Sequence, residues 1–441
     1  MGRSAARIAL LLGATALSLG VAEIAVRLLD AFSVQRAGFD AASPTAAPEE
    51  PTGVLRRVVH PYLAWVEAEG REAYTESELA LIFPGESPSE WTTRNNRINR
   101  HGFPSALDDY AEAARGKIAI GIFGGSVAKD VATVGGDALA AAVAEHIGVP
   151  RSDIVVLNFS SGGFKQPQQV IALAQAIFFG IDLDVVLNVD GYNEIVAGAS
   201  DSRRGHHPYL PARAQYAAVR DLVDRNPTET SVELAAETIR ARRAAREIRE
   251  RVTGSALFSS SALAKSVFGT WALRREREAN LLEAELQEEV ALATSSDTGP
   301  VLPDHCASSA EPCWTLIADL WEQGSRLMAA MSRSIGAQYL HVLQPNQYVL
   351  ATKVRSSVES RNTYHPSANI PSWVRTGYPL LRERGARLDV SGVSFHDLTD
   401  VFAQRPETLY RDPCCHFNRR GNEIFARRLA ELVDANRLGE S

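Results

Sequence analysis

Short apolar runs bounded by turn residues recur along most of the chain. Residues 118–123 (IAIGIF), 153–158 (DIVVLN), 183–189 (LDVVLNV), 339–343 (YLHVL) and 393–398 (VSFHDL) have the composition of strands buried on both faces. Between them lie stretches with helical spacing at 136–147, 167–179, 314–335, 373–384 and 421–433. Strands that alternate with helices imply a parallel sheet with right-handed crossovers, so the pattern predicts five strands in one doubly wound α/β domain. The rhythm breaks between about 197 and 300. There 232–252 and 261–293 are rich in Ala, Glu, Arg and Leu, with apolar residues at helical spacing. This predicts a long helical insertion, either a solvated appendage or a lid and partner surface. Residues 58–103 carry aromatics and turn residues without a long period and read as an irregular lead-in.

The amino-terminal stretch changes the picture. Arg3 and Arg7 precede an apolar run over 8–26, roughly 19 residues, enough as a helix to cross a bilayer core of about 30 Å. A cleaved signal peptide is the competing reading, but its small-residue pattern, Ala14-Thr15-Ala16, lies inside the run. The expectation is an uncleaved membrane anchor over 1–31, a Pro- and Ala-rich linker over 32–57 and a catalytic domain over 58–441. Basic residues ahead of the span place that domain outside the cytoplasm, periplasmic or extracellular, as a single-pass membrane protein. A net charge of −7 argues against a nucleic-acid partner.

The four cysteines, Cys306, Cys313, Cys414 and Cys415, show no zinc spacing, so neither a metal nor a cofactor is expected. Cys306 and Cys313 close a short loop fit for a disulfide, whereas Cys414 and Cys415 are adjacent and bridge only under strain. A cross-link between the two groups would tie down the loop that follows Cys415.

Chemistry concentrates at the carboxyl ends of the strands, where open α/β sheets bind ligands. The first strand ends in Gly124-Gly125-Ser126 and the second leads to Ser160-Ser161-Gly162-Gly163. The third ends in Asp190-Gly191-Tyr192-Asn193-Glu194. Alone, the first turn reads more simply as an ordinary glycine-rich βα turn with Ser126 capping a helix. Near the far end comes a fourth block, Asp412-Pro413-Cys414-Cys415-His416, just before the last helix. A nucleophilic serine needs a base, an orienting group and donors for the developing oxyanion. Ser126 supplies the nucleophile, His416 the base and Asp412 the orienter, with the Ser126 amide, Gly163 and the Asn193 side chain as donors. Gln344 and Asn346 follow the fourth strand at the same edge, where their amides either line a substrate cleft or belong to a plain loop. His60 and His101 lie outside the alternating region and read as structural.

Four blocks in this order resemble the SGNH (GDSL-like) hydrolase family over most of 117–433 apart from the insertion. GGS stands for its nucleophile block, NFSSGG for the glycine block, DGYNE for the asparagine block and DPCCHFNRRGNE for the Asp/His block. The resemblance implies a three-layer α/β/α sandwich with a flavodoxin-like five-stranded parallel sheet. It also implies a membrane-anchored serine esterase acting on acyl esters, acetyl esters of envelope carbohydrate first among them. Acyl transfer to a sugar would use the same residues. A non-catalytic envelope scaffold, using the insertion as its interface, is the reading from another class. The sequence departs from the family in two ways. GGS replaces GDS, and three residues rather than two separate Asp412 from His416. The longer spacing leaves two arrangements open: Asp412 folds back onto His416, or it swings away and a backbone carbonyl orients the imidazole.

Overall fold

A computed structural model describes residues 57–203, 206–212, 229–254, 312–364 and 369–438, with scattered positions between 261 and 285. The chain divides into two compact units. One takes in Gly53–Leu222 and Leu302–Ser441 and holds every strand among the described residues; the other takes in Val223–Val301.

The first unit opens with an antiparallel hairpin, β1 (Arg57–His60) and β2 (Ala64–Glu67), and three short helices, α1 (Glu76–Ile82), α2 (Glu90–Asn95) and α3 (Tyr110–Ala114). The lead-in predicted to be irregular is therefore a small structured cap. Strand β3 (Ile118–Gly124) runs into α4 (Ser126–Thr133) and α5 (Gly136–Ile147); β4 (Ile154–Ser160) is followed by α6 (Gln168–Phe178). Strand β5 (Val185–Asp190) leads to α7 (Tyr192–Arg203). After the second unit the chain resumes with α9 (Trp314–Ser334), β6 (Gln338–Leu343), α10 (Ser357–Asn362), α11 (Asn369–Val390), β7 (Phe395–Asp397) and α12 (Arg419–Ala430), while α8 (Glu229–Gly254) lies in the other unit. All five sheet strands pair in parallel, in the order β4-β3-β5-β6-β7. They are the five apolar runs of the sequence, each shifted by a residue or two at its ends. β3, β4, β5 and β6 are almost wholly buried because helices cover the sheet. Helix α12 packs on α4 and α5, while α9 packs on α6, α7 and α11, an arrangement compatible with three α/β/α layers.

In the other unit, α8 spans Glu229–Gly254. Its Thr238, Ala241 and Ala245 are buried at helical spacing, and Arg243 pairs with Glu247 on the exposed side at 3.1 Å. Most of the helix predicted over 261–293 lies outside the described residues.

The membrane anchor needs correction. No helix among the described residues is long and apolar enough to cross a membrane. The long ones carry charges throughout, as at Asp319, Glu322, Arg326 and Arg333 of α9. The run over 8–26 that suggested the anchor lies outside the described residues. A single-pass membrane location with a periplasmic catalytic domain, and a membrane partner, are accordingly withdrawn.

Candidate active site

The turn that carries Ser126 is built from backbone constraint. Gly124 has φ +141°, and a Cβ there would lie 2.0 Å from the Val189 carbonyl oxygen of the neighbouring strand. Only glycine lets β3 approach β5 so closely at its end. Gly125 follows in extended conformation as the N-cap of α4, and a Cβ on it would fall 2.1 Å from Asn193 Nδ2. Ser126 is then the first residue of the helix, where its amide has no intrahelical acceptor and feels the positive end of the dipole.

His416 Nε2 lies 2.7 Å from Ser126 Oγ, and His416 Nδ1 lies 2.5 Å from Asp412 Oδ2. The structure thus has Asp412 folded back onto His416. The loop's own hydrogen bonds explain how three intervening residues allow it. Asp412 Oδ1 accepts from the backbone amides of Cys414 (2.9 Å), Cys415 (3.2 Å) and His416 (3.4 Å), so the side chain caps its own turn while Oδ2 stays on the imidazole. The Arg411 amide donates to the His416 carbonyl, and the Arg411 guanidinium to the Phe417 carbonyl, closing the loop at its base.

The same guanidinium pairs at 3.0 Å with Asp130 of α4, which also accepts from the Tyr74 hydroxyl at 2.7 Å. That buried ion pair fixes the His416 loop to the helix that carries Ser126. A second set of contacts comes from the loop after β6. Gln347 Nε2 donates to the Asp412 carbonyl, the Tyr348 hydroxyl to the Pro413 carbonyl and Asn346 Nδ2 to the Cys414 carbonyl, at 2.8, 2.7 and 3.2 Å. Three successive carbonyls are therefore held by three successive side chains.

These contacts set the charges. Burial disfavours the imidazolium of His416, but the Asp412 carboxylate outweighs it and pushes the group up to about 9. Burial likewise opposes ionisation of Asp412, yet His416 and Arg411 hold its carboxyl well below the ordinary range.

The oxyanion candidates converge from two further strand ends. Gly163 has φ +87° in the turn after β4, and Asn193 Nδ2 donates to the carbonyl of Phe164, the next residue, at 2.8 Å. One of the two amide hydrogens is used there, which leaves the other for a ligand. Asn193 therefore lies against both Gly125 and the Gly163 turn. Two supports for these turns escaped the sequence analysis. Buried Glu194 accepts from the Gln166 amide (3.1 Å), Gln169 Nε2 (3.1 Å) and the Gly191 amide (2.8 Å), clamping the turn after β4 to the one after β5. The β1–β2 hairpin supplies the other, since Arg57 reaches the Gly162 carbonyl at 3.3 Å and Trp65 packs edge-on against Phe164. A Glu directly after Asn193 was the one visible signal; the hairpin left none.

Gln344 and Asn346 are both buried, the Asn346 side chain engaged with Cys414 as above and the Gln344 backbone N–H donating to the Asp190 carbonyl. His60 and His101 make local turn contacts. Cys313 is in a disulfide, with Cys306 outside the described residues. Cys414 and Cys415 are free thiols, so no bridge ties their loop to Cys313. The donor atoms of Cys414, Cys415 and His416 lie within 4.8 Å of one another, close enough to hold a metal ion, although both His416 nitrogens are engaged by Asp412 and Ser126. No protein-family model matches the chain, and no curated protein matches it either.

Proposed function

We propose that this protein is a serine hydrolase that cleaves acyl esters through a Ser126–His416–Asp412 triad. The observation that carries the reading is the continuous hydrogen-bonded chain from Ser126 Oγ through both nitrogens of His416 to Asp412 Oδ2. In the first step Ser126 Oγ attacks the ester carbonyl and its proton passes to His416 Nε2. Asp412 keeps the other nitrogen protonated and stabilises the imidazolium. The Ser126 amide, the Gly163 amide and the second hydrogen of Asn193 are the donors offered to the oxyanion. Collapse breaks the ester bond, and the leaving alkoxide takes the proton from His416. A water molecule, deprotonated by His416, then attacks the acyl-Ser126 ester, releasing the acid and returning the proton to Ser126.

The four sequence blocks support the resemblance to SGNH hydrolases, and the strand order second-first-third-fourth-fifth supports a flavodoxin-like sheet. The return of the chain to the same unit at Leu302 supports reading the helical stretch before it as an insertion. Short acyl esters, acetylated carbohydrate among them, are the substrate class that resemblance implies. Release of 4-nitrophenol from 4-nitrophenyl acetate, abolished in Ser126→Ala, is the expected result. Equal rates for wild type and Ser126→Ala would exclude the reading.

A further inference from the structure

Between Asp412 and His416 sit two thiols that the triad does not use. Cys414 Sγ lies 2.9 Å from Cys415 Sγ; Cys414 is partly exposed and Cys415 is buried. The peptide unit joining them is held at both ends. Its carbonyl, that of Cys414, accepts from Asn346 Nδ2 at 3.2 Å, and its N–H, that of Cys415, donates to Asp412 Oδ1 at 3.2 Å. Adjacent α-carbons are about 3.8 Å apart across a trans peptide, below the roughly 4.4–6.8 Å that disulfides span. A bond between these sulfurs closes a small ring that contains this peptide bond, so forming it strains the peptide and twists it out of its present setting. Turning it draws the Cys415 N–H off the carboxylate that positions His416.

We propose that Cys414 and Cys415 form a thiol–disulfide exchange site, and that their conversion to a vicinal disulfide loosens Asp412 and slows turnover. The ligand class is a small-molecule disulfide. The thiolate of Cys414, the less buried residue of the two, attacks one sulfur of that disulfide and expels a thiolate. The Cys415 thiolate then attacks Cys414 Sγ and expels the second. The two protons of the protein thiols end on the two released thiols, so the pair loses two electrons and the small disulfide gains them. Bridges of this geometry are readily reduced, which makes the change reversible.

The effect on turnover rests on the proposed hydrolase reading, so the test carries a readout that does not. The full chain is incubated with oxidised glutathione, then examined by peptide mass spectrometry, by ester turnover and by NMR titration of the His416 ring. The expected result is a peptide over 414–415 lighter by two hydrogens and a fall in kcat on the order of tenfold or more, reversed by a reducing thiol. The His416 titration midpoint should also fall as Asp412 withdraws. The Cys414→Ser/Cys415→Ser double variant, whatever its starting rate, should not respond, which excludes exchange at Cys313. If the reduced protein cleaves no ester, the hydrolase reading fails, while the mass and the His416 midpoint still decide this one. Absence of the intramolecular bridge, or a bridge that moves neither kcat nor the midpoint, overturns it.

Discussion

Replacing Asp412 by Asn keeps the size of the side chain and removes its charge, which separates holding the loop from holding the proton. The cap on the backbone amides survives through the remaining carbonyl oxygen, but the amide no longer stabilises the imidazolium. Asp412→Asn is therefore expected to lower kcat by roughly 10⁴-fold in a folded protein. In the wild type His416 is pushed up to about 9, so at neutral pH much of the imidazole already carries its proton. The value of kcat/KM should rise with pH and level off above about 9. In Asp412→Asn the midpoint should move down toward the ordinary histidine value of about 6.5.

Stability follows the same shift. The folded-state pKa of His416 lies above its unfolded value, so its contribution is complete below about 6.5 and is lost as pH climbs through about 9. Urea denaturation should show a gap between wild type and Asp412→Asn that is widest near pH 6 and narrows toward alkaline pH. A pH-independent gap would count against the pair. Gly125→Ala tests the other side of the site. Its backbone conformation is extended with negative φ, but the new methyl would fall 2.1 Å from Asn193 Nδ2 and push that side chain away. The expected outcome is a folded protein with kcat lowered by about 100-fold, since the proposed oxyanion donor is displaced, and KM little changed.

At the scale of elements, α4 is the piece on which the site depends, and the sequence concealed it. Its residues SVAKDVAT include Lys129 and Asp130, which suggest a polar turn, yet both are buried. Asp130 pairs with Arg411 and Tyr74, and Lys129 lies over the Tyr74 ring. Charged side chains facing inward defeat a pattern that equates polar with exposed. The same cause hid α7, where Glu194 and Asp201 are buried. The strands were legible because burial on both faces forces unbroken apolar runs. Ser126 and His416 were legible because chemistry restricts which residue types can stand at a strand end and before a last helix. The clamp from Gln347, Tyr348 and Asn346 was not, since it is made of side chains bonding to carbonyls, which leave no trace in sequence. Asp130→Ala follows from this wiring. It strands the Arg411 charge in the interior and should cost about 3–5 kcal/mol in chemical denaturation. A loss below about 1 kcal/mol would mean that Arg411 finds another partner or water.

For the whole molecule, the division at Leu222 and Leu302 keeps all the proposed catalytic groups in one unit, although they lie far apart in sequence. Ser126 and His416 are 290 residues apart, and the sheet order and the ion pair from α4 to Arg411 bring them together. In the proposed hydrolase this assembly makes Ser126 a nucleophile dependent on His416. Labelling with an alkyl fluorophosphonate, read by peptide mass spectrometry, tests it most directly. A single adduct on Ser126 is expected, formed rapidly in the wild type and slowed by at least about 10³-fold in His416→Ala. An unlabelled Ser126 in folded wild-type protein, or labelling as fast without His416 as with it, would mean that the two do not act together.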